Sequence, residues 1–142
     1  MKRRNILKML VSAVAVIPSV MMAYDKKLVV NTIKMKPKDS KKLEKGEKKH
    51  LPEIKVGDKD SAGYTLVEVT IGQDSVIHPS TKEHWIYEIE LFADGKLVDL
   101  VSLEPEISRG YLGTRVKLDG VKKLSAVSKC NLHGSWESEI TL

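Results

Sequence analysis

Cysteine is almost absent from this chain. One residue, Cys130, stands among 142, so no disulfide can form within the chain and a disulfide-stapled fold is excluded. Its position, far from the N-terminus, also excludes a lipoprotein leader. Methionine is missing beyond Met35, and with it the weak axial thioether of a blue-copper site. The only long apolar run, Met9–Ala23, is broken by Ser12, Pro18 and Ser19 and is shorter than the ~20 residues of a comfortable membrane span. The first 23 residues contain no acid. Nothing after them shows convincing helical periodicity, and there is no internal repeat.

The net charge of +5 invites a nucleic-acid reading, but its placement argues against one. Residues 1–23 hold Lys2, Arg3, Arg4 and Lys8, and the remainder carries 20 basic against 19 acidic residues. The basic balance thus belongs largely to the leader, and no nucleic-acid partner is expected. A positive start, Met1–Lys8, followed by a short apolar stretch is the pattern of an export signal. Arg3-Arg4-Asn5-Ile6-Leu7-Lys8 resembles the twin-arginine signal, a route that carries folded proteins. Residues 1–23 are therefore expected to direct export to the periplasm, either cleaved after Ala23 or kept as an N-terminal anchor. Residues 24–49 form a lysine-rich arm. Lys34–Lys49 hold eight lysines against Asp39, Glu44 and Glu47, and Pro37 and Gly46 favour an irregular, solvated segment there.

From about residue 50 the pattern is β. In Tyr64–Ile71, Val67, Val69 and Ile71 alternate with Glu68 and Thr70, as on a half-buried strand. His84–Ala93 is rich in β-branched and aromatic residues. Asp94-Gly95 reads as a hairpin turn into Leu97–Leu103. Tyr111–Leu118 and Lys122–Lys129 flank a second such turn at Asp119-Gly120, and Trp136–Leu142 alternates again. With a short strand near Ile54–Val56 this makes about seven strands. The expected architecture is all-β, an immunoglobulin-like antiparallel sandwich over residues 50–142.

The four histidines, His50, His78, His84 and His133, and the single Cys130 all lie beside turn signals. His78 and His84 bracket a loop before a strand. Cys130-Asn131-Leu132-His133 places a thiol and an imidazole three positions apart, and Gly134 frees the backbone after them. Loops at one end of a sandwich converge, so the three segments can meet at one ion. Four imidazoles and a thiolate suit a first-row transition metal rather than calcium or magnesium. Structural zinc takes four ligands, one fewer than are here. Iron with five protein ligands and one open position fits best. A zinc or copper protein, and a metal-free carrier with Cys130 as an exposed thiol, remain alternatives on the residues alone.

Three motifs resemble the superoxide reductases of the neelaredoxin and desulfoferrodoxin group. His78-Pro79 through His84-Trp85-Ile86 is similar to the family's His-Pro-x-x-x-x-His loop. Cys130-Asn131-Leu132-His133-Gly134-Ser135-Trp136 is similar to its Cys-Asn-x-His-Gly-x-Trp signature, and Lys49-His50-Leu51-Pro52 to its Glu-Lys-His-x-Pro segment. The resemblance spans roughly residues 45–142. It implies one iron, ferrous or ferric, with His50, His78, His84 and His133 in a plane, Cys130 on the axis and the sixth position open. Superoxide is the implied substrate and hydrogen peroxide the product. Lys49 is the implied positive guide at the mouth, with Lys48 beside it. Glu47, the counterpart of a carboxylate able to cap the oxidised iron, stands one position early. A four-cysteine rubredoxin-like module is absent, so this is a one-iron type. An external electron donor, a rubredoxin-like protein or a periplasmic cytochrome, is implied, and self-association into a homo-oligomer is left open.

Overall fold

The computed structural model describes residues 22–142, so nearly all of the expected leader lies outside the described residues. Among those described, no helix is long and apolar enough to cross a membrane. Seven strands build two antiparallel sheets: β1 (Pro52–Lys59), β2 (Thr65–Ile71), β3 (Ile86–Ala93), β4 (Lys96–Ser102), β5 (Tyr111–Val116), β6 (Lys123–Cys130) and β7 (Gly134–Thr141). The order is β1-β2-β5 in one sheet and β4-β3-β6-β7 in the other. The sandwich is the all-β architecture expected from the alternation.

That alternation explains the core. Val67, Val69 and Ile71 of β2 point inward against Ile89 and Leu91 of β3, Leu112 and Val116 of β5, and Leu124 and Ala126 of β6. Removing such side chains from water is the main stabilising contribution. The Asp94-Gly95 turn has positive φ at both residues, +46° and +80°, the geometry a tight hairpin needs. β1 is longer than the expected Ile54–Val56. Its outer half is exposed, so no alternation marks it.

Antiparallel pairing decides where the loops meet. Pro52 at the start of β1 faces Ile71 at the end of β2, and Ile86 at the start of β3 faces Cys130 at the end of β6. The segment before β1, the β2–β3 loop and the β6–β7 turn therefore share one end of the sandwich. These are the three segments that carry the histidines and the cysteine.

Most lysines of the arm are exposed, as expected, but its backbone is docked on the sandwich. Residues 45–48 form one helical turn, α1 (Lys45–Lys48), closed by a reciprocal capping box between Glu44 and Glu47. Earlier in the arm, Val30 and Asn31 both donate their N–H groups to the Asn131 carbonyl, at 3.0 and 3.1 Å. Ser135 N–H donates to the Ile33 carbonyl at 2.9 Å, and Met35 N–H to the Ser135 carbonyl at 2.8 Å. These contacts run through the backbone, which leaves little side-chain pattern to read; Asn31 Nδ2 adds one side-chain bond, to the Leu132 carbonyl at 3.1 Å. Gly134, with φ +75°, is the seat of this docking, because a Cβ there would lie 2.2 Å from the Ile33 carbonyl oxygen.

Candidate metal centre

The four imidazoles form a ring of neighbours. Centroids of His50–His78, His78–His84, His84–His133 and His50–His133 are 4.7, 4.6, 4.7 and 4.9 Å apart, with interplanar angles between 70° and 77°. The cross-ring pair His50–His84 is farther apart, at 6.1 Å, and more nearly coplanar, at 35°. Such spacing describes four groups arranged around one point.

The ring nitrogens are sorted by their outer bonds. His50 Nδ1 pairs with the Gly46 carbonyl at 2.6 Å and His78 Nδ1 with the Pro79 carbonyl at 2.7 Å. Each must carry its proton there, which leaves Nε2 with an inward lone pair. His78 Nε2 is buried and has no hydrogen-bond partner. His133 turns its Nδ1 inward, 3.2 Å from His50 Nε2, 3.1 Å from His84 Nε2 and 3.6 Å from Cys130 Sγ. Ligand atoms of His50, His78, His84 and Cys130 all lie within 4.8 Å of one another. The five side chains singled out by the sequence are thus brought together. A buried nitrogen with nothing to bond, facing three more lone pairs and a sulfur, is what a metal cation would satisfy.

Burial holds the imidazoles neutral. It pushes His78 down to about 3 and His50 down to about 4, and lowers His84 and His133 as well. Burial raises the Cys130 thiol, against the opposing pull of the Leu132 and His133 N–H groups and of Lys49. Cys130 approaches from the core, fully buried, while His133 is exposed. Beside the ring, on the His50 and His133 flank, a cleft of about 440 Å³ is lined by these two imidazoles with Lys49, Trp136, Glu47 and Met35, among others; His78 and His84 do not reach it.

A family profile described as Desulfoferrodoxin matches residues 41–139. The chain belongs to the desulfoferrodoxin family. A desulfoferrodoxin from Nitratidesulfovibrio vulgaris is 38% identical over 93 residues, 66% of this chain and 64% of that protein's length. The chain thus spans just under two thirds of that relative. A superoxide reductase from Pyrococcus abyssi is 37% identical, covering 69% of this chain and 90% of its own. Among solved structures, a superoxide reductase from Giardia intestinalis superposes with a TM-score of 0.56 at 32% identity, over 67% of this chain and 99% of that one. The metal of the desulfoferrodoxin fold is a mononuclear iron, and the His/Cys cluster fits it.

Three residues with no role in the sequence reading hold this desulfoferrodoxin site in shape. Asn131, wholly buried, accepts from Trp85 N–H at 3.0 Å and donates to the Glu83 carbonyl at 2.9 Å and the Leu28 carbonyl at 3.2 Å. It therefore pins the peptides on either side of His84. Ser128 Oγ donates to the His50 carbonyl, tying β6 to the first ligand segment. Trp136 Nε1 donates to the His133 carbonyl at 3.0 Å. Asn131 and Trp136 were visible in the signature motif. Ser128 is one of two serines on β6 and carries no sequence signal.

The two residues before Lys49 behave differently from it. Lys48 pairs with Asp74 at 2.6 Å, which removes it from the mouth. Both Glu47 oxygens are engaged, by Lys38 N–H and Glu44 N–H at 2.8 Å each, and these bonds hold its carboxyl below the usual glutamate range. The expected cap on oxidised iron is here a cap on α1 and a clasp on the arm. Lys49, half-buried, forms no ion pair among the described residues, and its charge opposes protonation at all four imidazoles.

Proposed function

We propose that this chain is a one-iron superoxide reductase working in the periplasm, with His50, His78, His84, His133 and Cys130 as the ligands. The observation that carries the reading is the ring of four imidazoles with the unsatisfied His78 Nε2 turned into it beside Cys130 Sγ. Superoxide takes up one electron and two protons to leave as hydrogen peroxide. Iron held by these five residues would supply that electron, ferrous becoming ferric. Every other task falls to the polypeptide.

The outer bonds of His50 and His78 to Gly46 and Pro79 fix both rings in one tautomer, so the inward lone pairs are available without rearrangement. Cys130 fills the core side, which leaves the exposed side of the ring, where His133 lies, as the approach for a small anion. Lys49 lines the cleft beside the ring, and its positive charge forms no ion pair among the described residues. Such a charge raises the encounter rate of an anion and favours negative charge gathering at the site. The protons of the product come from solvent on the exposed side of the ring. A separate donor, a rubredoxin-like protein or a periplasmic cytochrome, restores the reduced state. The periplasmic location rests on the basic-then-apolar leader and its Arg3-Arg4 pair.

Metal analysis of the purified chain, followed by rapid mixing with superoxide, tests the reading. One iron per chain, and one peroxide formed per iron oxidised with no oxygen released, is the expected result. Zinc or copper in its place, or a colourless chain that retains no iron, would overturn it.

A further inference from the structure

The arm segment Leu28–Met35 is docked by its backbone but keeps its apolar side chains in water. Leu28, Val30, Ile33 and Met35 are 44%, 72%, 67% and 37% exposed. Leu132, in the β6–β7 turn to which Asn31 is bonded, is 38% exposed. Single exposed apolar residues are ordinary, but five on one docked strap and the turn beneath it make a patch. Ordering the strap costs conformational entropy, and these side chains return little burial within the chain. The patch also has charge of one sign. Residues 26–36 hold Lys26, Lys27, Lys34 and Lys36 and no acid. Asp25, just before them, is engaged by the Lys27 N–H at 2.9 Å. Glu137 reaches Lys34 at 3.4 Å, while Lys26, Lys27 and Lys36 form no ion pair among the described residues.

The strap ends at the metal centre. Met35 and Lys36 line the cleft beside the ring, together with Lys49, Trp136 and the ligands His50 and His133. Met35 and Trp136 give the cleft an apolar wall, and the lysines give it a basic rim. Its two acids, Glu44 and Glu47, are already held by Lys38 and by backbone N–H groups. We infer that the strap and this cleft are the docking surface for the reductant of the site, a small acidic electron-transfer protein; the inference rests on the iron reading above. An apolar centre within a polar, charged rim is the anatomy of a protein interface. Acidic residues on the partner complement the lysines, steer its encounter and fix its register. A concave cleft admits the protruding edge of a protein rather than a flat anionic bilayer, and the strap offers no amphipathic helix with which to enter a bilayer. A partner seated there brings its redox group against the flank formed by His50 and His133. One electron then passes from its reduced centre to ferric iron, which becomes ferrous, with no bond made or broken. The strap precedes residues 41–139, the part matched by the family profile, so the surface belongs to this chain's own arm.

The probe is a small acidic rubredoxin, used with iron for kinetics and with redox-silent zinc for binding. Titration calorimetry of the iron-loaded chain with zinc rubredoxin reads the affinity. Stopped-flow oxidation of reduced rubredoxin by the ferric chain, over a salt series, reads the rate. Lys36→Glu is expected to weaken binding and slow the transfer by about ten-fold at low salt, and to flatten the salt dependence. Val30→Ser combined with Ile33→Ser keeps the backbone bonds and removes the apolar centre. It should weaken binding by about ten-fold with the salt slope retained, and leave the reaction with superoxide unchanged. Lys96→Glu makes the same change of charge at the hairpin between β3 and β4, at the other end of the sandwich, and should alter neither readout. Equal losses in Lys36→Glu and Lys96→Glu, no loss in either strap variant, or no binding by the parent chain would overturn the docking surface. Strap-dependent binding to phosphatidylglycerol vesicles but not to rubredoxin would also overturn it, in favour of a membrane surface. A parent chain that binds zinc rubredoxin through the strap but holds no iron would support the surface and strike the iron reading alone.

Discussion

The indole of Trp136 stacks on the imidazole of His50, with ring centroids 5.3 Å apart and planes 17° from parallel. The same indole bonds the His133 carbonyl, so one side chain sets two ligands that are far apart in sequence. Trp136→Ala should lose iron affinity by roughly 10–100-fold, the range for groups that orient ligands, and should destabilise the fold by about 3–5 kcal/mol. Trp136→Phe keeps a stacking face and should retain more iron than alanine. Competitive metal titration and urea unfolding measure the two effects separately. Equal losses in both variants would show that the stack contributes nothing.

Cys130→Ser exchanges a soft, charged donor for a hard hydroxyl of similar size. The visible sulfur-to-iron absorption and the reaction with superoxide should both disappear. The far-ultraviolet circular dichroism of the sandwich should stay as it is. A serine variant that kept colour and activity would remove Cys130 from the ligand set.

Lys49→Ala should slow the bimolecular reaction with superoxide by about ten-fold and flatten its dependence on ionic strength, since steering charge acts on encounter and is screened by salt. Lys38→Ala should do far less, because Lys38 Nζ is exposed and already paired with Glu44 at 3.1 Å. Lys48→Ala, whose charge is held by Asp74, belongs with Lys38. Stopped-flow rates over a salt series discriminate the three. Iron content should be unchanged throughout.

Glu47→Gln tests the clasp against the iron cap. If the carboxylate serves the arm, the oxidised iron spectrum stays the same while the urea midpoint falls. Its pKa lies below the ordinary glutamate value, so the stabilisation is present above that value and is lost as pH falls through the folded pKa. The gap between parent and variant should therefore close in acid. A changed oxidised spectrum in the variant would restore Glu47 to the metal.

The buried histidines give the metal-free chain an acid limit. Their folded pKa values, about 4 for His50 and about 3 for His78, lie below the unfolded value of 6.5. The unfolded chain thus binds more protons, and stability is full above about 6.5 and falls as pH drops toward 4 and then 3. Urea midpoints of the iron-free protein at pH 7, 5 and 4 should fall in that order. A flat profile would mean these rings are not buried neutral.

Much of this was legible in the sequence, for identifiable reasons. β2 shows its burial because Val67, Val69 and Ile71 alternate with polar neighbours, and the Asp94-Gly95 turn shows itself because few residues tolerate its dihedrals. The ligands were readable because this chain has one cysteine and four histidines, all beside turns. β1 was only partly visible, since its outer half is exposed and unpatterned. The docking of the arm was not visible at all. Val30, Asn31, Ile33 and Met35 use backbone groups there, which almost every residue type offers, and only Asn31 adds a side-chain bond. Lys48 and Lys49 look alike in sequence; only Asp74, brought beside Lys48 by the fold, separates them.

His50 and His133 lie 83 positions apart along the chain yet 3.2 Å apart at their ring nitrogens. The loop between them contains most of the sandwich, and its closure carries an entropic cost that no local segment can offset on its own. A folding chain can therefore present single histidines, or the Cys130–His133 turn, long before it presents a ring. Tight metal capture must wait until the first and last ligand segments have been joined by completed sheets. From that moment bound iron favours only the finished state, by mass action, and acts as a latch on the whole chain. Loss of iron would then open a path to unfolding that begins at the two ends of the sequence together.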